Sequence, residues 1–108
     1  MQAVEVARHI ESIIAAITLE GKRSTELIEA KADTSRVYDK ALAVRAAEMK
    51  IEGMAATLID RQAKGDASQL LSEMIVATES LKAHWKRLDY LQAQLNGFQS
   101  INRHLDST

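Results

Sequence analysis

A chain of 108 residues carrying fourteen basic and fifteen acidic side chains, interleaved to a formal net charge of −1, has no long-range field to draw phosphate backbones or anionic lipid to its surface as a whole. The absence of cysteine excludes disulfides, thiolate metal sites and cysteine nucleophiles, and nothing points to an oxidising compartment. With no proline and only four glycines among mostly good helix formers, strands are not required anywhere, and the four aromatics (Tyr38, Trp85, Tyr90 and Phe98) leave packing to aliphatic and alanine side chains.

From Gln2 the apolar positions Val6, Ile10, Ile13 and Ile17 follow 4-3-4 spacing, with Val4, Ile14 and Leu19 widening the stripe, so an amphipathic helix starts almost at the terminus. The run Ile13 to Leu19 falls far short of the roughly 20 residues needed to cross a bilayer, and Glu5 and Glu11 precede it without a basic cluster. The expected location is the cytoplasm. Gly21, followed by Lys22 and Arg23, either ends this helix, with Ser24 or Thr25 capping the next, or sits inside a continuous helix at a cost of about 1 kcal/mol. From Thr25 to Ile51 the pattern stays helical but weaker, and it is alanine-rich from Ala41 to Ala47.

Between Glu52 and Asp66 the frame changes. Gly53 interrupts, Met54 to Ile59 is a short apolar run, and Gln62 to Asp66 reads as a helix end. Gly65 is placed as the C′ residue, Lys64 complements the carbonyl end of the dipole, and Asp66 with Gln69 makes a capping box for the next helix.

The strongest pattern follows. From Asp66 to Leu105 one heptad frame places Ala67, Met74, Leu81, Leu88, Leu95 and Asn102 in one row and Leu70, Ala77, His84, Leu91, Phe98 and Leu105 in the other, the seam of a coiled coil or long bundle helix. Asp106 to Thr108 reads as a frayed end.

The fold class that results is all-α: a long antiparallel helical hairpin with a short helical elbow, in a single domain of arm 2–52, elbow 53–65 and arm 66–105. A two-helix hairpin leaves much of each stripe exposed. Either two hairpins pair into a helix bundle, or the first arm folds at Gly21 and supplies a third helix. The expected interface is Leu70, Met74, Leu81, Leu88, Leu91, Leu95 and Phe98, with His84 and Asn102 as polar seam positions that set register; Asn102 facing water near a fraying end is the alternative.

Sites for chemistry are few. No Glu-x-x-His occurs, and with three histidines and no cysteine no metal or cofactor is expected. Glycine-rich phosphate loops, Gly-x-Ser-x-Gly, His-Glu-x-x-His and calcium-loop patterns are absent, and no serine has a histidine at useful local spacing. Catalysis is not expected. Lys82, Trp85, Lys86 and Arg87, around His84, form a local basic cluster with an aromatic, which could contact single-stranded nucleic acid by charge and stacking; with Glu79 and Asp89 at helix-neighbour spacing, ordinary salt-bridged surface is the competing reading.

The segment Ile51-Glu-Gly-Met-Ala-Ala-Thr-Leu-Ile-Asp-Arg-Gln-Ala-Lys-Gly-Asp66, followed by a long helix closing on Leu95-Asn-Gly-Phe-Gln-Ser-Ile-Asn-Arg-His-Leu105, resembles a pattern in small helical proteins encoded by phages and prophages. There the elbow is similar to Gly-x-Pro-Ala-Thr-Leu-Ile, with Ala55 standing here in the proline position, and the end is similar to Leu-Asn-Ala-Leu-Gln-Ser. The resemblance covers the C-terminal half and implies a short cytoplasmic helical hairpin from a mobile element.

The functional expectation is a non-enzymatic helical interaction or assembly protein, a homodimer or higher homo-oligomer acting on an unidentified protein partner without a membrane. The alternative is an accessory nucleic-acid-binding protein of phage recombination or replication.

Overall fold

A computed structural model describes residues 2–106. Among these the chain forms three helices and no strand: α1 (Ala3–Ile51), α2 (Ala56–Asp66) and α3 (Ser68–Asp106). Helices α1 and α3 pack against each other as a hairpin, and the antiparallel direction is visible residue by residue. His9 meets Phe98, Ile13 meets Leu91 and Leu95, and Glu20 meets His84 and Arg87, so partners on α3 fall in number as those on α1 rise. No helix among the described residues is long and apolar enough to cross a membrane.

Helix α1 runs without a break for 49 residues, about 73 Å at 1.5 Å per residue. Gly21 therefore lies inside it, and the chain makes no third arm there. Nothing lies within 4 Å of where a Gly21 side chain would start, so this glycine answers to no packing need and simply weakens the helix locally.

The break falls at Gly53. Its φ of 86° is the left-handed conformation that glycine adopts without steric penalty. The Met54 N–H donates to the Met49 carbonyl at 3.0 Å and the Gly53 N–H to the Lys50 carbonyl at 3.1 Å, the bond pair that closes a helix in a Schellman motif. Met49, three residues inside the cap, is fully buried and Met54 half-buried. Ala55 then opens α2 with φ −59° and ψ 131° and no side-chain cap.

A helix does end within the expected stretch Gln62 to Asp66, at Asp66 itself, but the capping roles expected of Gly65 and Asp66 are corrected. Gly65 is helical and α2 continues through Asp66; α3 follows after Ala67 alone, whose φ of −95° and ψ of 11° lie in the bridge region, outside the helical range. The Ala67 N–H still reaches the Ala63 carbonyl, and the Leu71 N–H the Ala67 carbonyl, both at 3.0 Å. Asp66 caps nothing because its carboxylate has a better partner: Arg45 Nε donates to it at 2.8 Å, and Gln62 Nε2 at 3.0 Å. With the guanidinium on one oxygen and the amide on the other, both carboxylate oxygens are engaged away from the helix start. Ser107 and Thr108 of the expected frayed end lie outside the described residues, and Asp106 is helical.

Contacts group the chain into two compact units. One joins the chain up to Thr25 with the chain from Lys82; the other is Glu26–Leu81. In the first, Ile13, Leu91 and Leu95 form the buried centre, and Ile10, Ala16, Ile17 and Phe98 pack around it. His9 stacks on Phe98 at 4.7 Å between ring centroids, with the planes 7° apart. In the second, Tyr38, Met49, Ala63, Ala67 and Leu81 are buried, and Arg45 ties α1 to Asp66.

Candidate functional site: a buried polar cluster

On α1 the inward positions Val6, Ile10, Ile13 and Ile17 continue at the same spacing to Glu20 and Ser24, so two polar residues enter a row that begins apolar. On α3 the seam supplies His84, with Arg87 three residues on. These four side chains meet inside the first unit.

Glu20 and His84 are 7% and 4% exposed. His84 Nδ1 lies 3.1 Å from Glu20 Oε2, Ser24 Oγ lies 2.7 Å from His84 Nε2, and Arg87 Nε donates to Glu20 Oε1 at 2.8 Å. The Arg23 guanidinium stands 3.6 Å from Glu20 Oε2. Among the described residues no buried side-chain nitrogen or oxygen is left without a partner, which is what a polar cluster between helices must achieve if it is not to weaken the pair.

Burial pushes the Glu20 pKa up, but the hydrogen bonds from Arg87 and His84, with the positive charges of Arg87 and Arg23, outweigh it and hold the carboxyl below its ordinary value. Glu20 is thus an anion and accepts only. It follows that His84 carries its hydrogen on Nδ1 and, when neutral, offers Nε2 as the acceptor for the Ser24 hydroxyl.

The atom order, hydroxyl to imidazole to carboxylate, is that of an activated serine. What an acyl transfer needs beside it is a pair of donors aimed at a developing oxyanion. Ser24 lies in the interior of α1, where backbone N–H groups are consumed by the helix's own ladder, so the backbone beside it supplies no such pair. The cluster is built to hold two helices in one register. A one-turn slide would separate Glu20 from both His84 and Arg87 and leave buried polar atoms unpaired.

The residues expected to form the seam occupy the inward face of α3. Leu81, His84, Leu91 and Leu95 are buried, while Leu70, Met74, Leu88, Phe98 and Asn102 are half-buried. In the first unit this row lies against α1 of the same chain. The basic cluster is divided: Arg87 turns to Glu20, the Trp85 ring tilts against His84 at 5.1 Å, and Lys82 and Lys86 are exposed. Among the described residues no three histidine or acidic side chains converge as a metal site would require.

Glu20 and Ser24 were missed by sequence reasoning because the apolar row was followed only as far as Leu19. The signal was present, since the 4-3-4 spacing extended by two turns lands on both. Comparison with known families, with characterised proteins and with solved structures finds no match to this chain.

Proposed function

We propose that this protein is a non-enzymatic helical assembly protein that self-associates and presents its helical surface to another protein. The observation that carries the reading is the apolar surface a two-helix hairpin leaves uncovered: Val4, Leu19, Val44, Ile51 and Val76 are each about half exposed or more. The chain leaves 7737 Å² accessible, against about 6,000 Å² for a typical folded monomer of its 12.0 kDa mass. Total surface in this excess, together with those exposed large apolar side chains, supports a protein that completes its core by association. The phage and prophage resemblance of the C-terminal half supports placing it among small proteins of mobile elements.

Sedimentation of the full chain over a range of concentrations tests the reading. A concentration-dependent rise in mass is expected; a monomer throughout would remove self-association from the account.

A further inference from the structure

Helix α1 carries a second apolar row that its own hairpin does not cover. Val37, Val44 and Ile51 stand seven residues apart and are 41%, 48% and 86% exposed, while the buried positions Tyr38 and Met49 lie about a third of a turn around the same helix. Beside Val44 the small side chains of Ala41 and Ala67, with Leu70, leave an open groove of about 280 Å³. A helix with two apolar rows is a helix with two neighbours, and only one of them belongs to this unit.

We infer that the second neighbour is the same helix of another copy, crossing antiparallel with Val44 at the two-fold axis. This deepens the self-association reading and rests on it. The row complements itself about that residue: Val44 opposes Val44, Val37 opposes Ile51, and Lys40 of each copy comes within reach of Glu48 of the other, so one symmetric contact repeats both the apolar match and the opposite charges. Lys40 and Glu48 are both exposed; Glu48 already accepts from Arg45 Nη1 of its own helix at 3.1 Å through Oε2, so a partner's lysine would join that cation at the same carboxylate. Ala41 and Ala47 flank the row and let the backbones approach. A contact spanning 15 residues is about 21 Å long and covers on the order of 500 Å² per copy, at the low end of specific interfaces.

Sedimentation velocity on the full chain, from low micromolar to several hundred micromolar, tests the face with four proteins: the natural sequence, Val44→Asp, Lys40→Glu, and Lys40→Glu combined with Glu48→Lys. The natural chain dimerises, Val44→Asp weakens the dimer by about tenfold or more, Lys40→Glu weakens it by about threefold to tenfold, and the double reversal regains most of that loss because each pair is again of opposite sign. A natural chain that stays monomeric overturns both this inference and the self-association reading. A natural dimer unmoved by Val44→Asp and by Lys40→Glu overturns the face alone and leaves self-association standing. If Val44→Asp loses helix content, the charge reversals decide by themselves: recovery in the double variant supports the register, and its absence overturns it.

Discussion

The Ser24 hydroxyl lies 2.7 Å from His84 Nε2, and on the other side of that ring Glu20 accepts from Nδ1 at 3.1 Å, so one imidazole joins two positions on α1 a turn apart. Deleting the ring should therefore harm more than its size suggests. His84→Ala removes both bonds and leaves a buried carboxylate short of a donor, and a fall in Tm of about 5–15 °C is expected by circular dichroism. The double variant Glu20→Leu/His84→Leu should melt higher than His84→Ala, because no buried polar atom of the pair remains to be satisfied. Strict additivity of the single Glu20→Leu and His84→Leu effects would contradict the network.

Two carboxylates make stability depend on acid. The Arg45 guanidinium, with help from the Gln62 amide, holds the Asp66 carboxyl below its ordinary value, and Glu20 is held low by Arg87, His84 and Arg23 against the upward push of burial. A carboxyl whose folded pKa lies below its unfolded value contributes stability that is present above the unfolded value, about 4, and is lost as pH falls through the folded one. The share of stability from these two carboxyls should be lost as pH drops below about 4, read as a fall in the urea midpoint. In Arg45→Ala the drop should shrink; an unchanged profile would remove Asp66 from the explanation. Added salt should also reduce the Asp66 share, since that pair is about a third exposed.

The glycines of α1 and of its cap should respond in opposite directions. Gly53→Ala places a side chain at a φ of 86° and is expected to destabilise by about 1–2 kcal/mol. Gly21→Ala meets nothing within 4 Å and is expected to stabilise by about 0.5–1 kcal/mol. Chemical denaturation of the two variants side by side checks the pair of signs.

Helix α2 begins on an alanine that caps nothing. Ala55→Ser gives its first amides a side-chain acceptor and should add about 0.5–1 kcal/mol, read as a higher urea midpoint at unchanged slope. The backbone there, with φ −59°, is also one that a proline ring imposes, in keeping with the proline of the elbow pattern this segment resembles.

Much of the fold was legible because its signal is periodic. The 4-3 spacing from Val6 to Ile17 and the heptad rows from Ala67 to Leu105 mark the inward faces of α1 and α3, and the lack of proline allowed long helices. Stops were harder, because Gly53 and Gly65 look alike in sequence. What separates them is the left-handed φ adopted at Gly53 alone, and the claim of Arg45, twenty-one residues away, on the Asp66 side chain. The polar cluster was half legible: His84 stood out as a polar residue on an apolar row, whereas its partners stand 60 and 64 residues distant, beyond any local spacing rule.

A hydroxyl is a swivel. Thr18 and Thr34 already turn theirs back onto the carbonyls of Ile14 and Ala30, and Ser24 has the same option toward its own preceding turn. Should the imidazole of His84 take up a second hydrogen, Ser24 can rotate, receive from Nε2 and hand its own hydrogen backward, so the joint between the helices accommodates either form of the ring without stranding an atom.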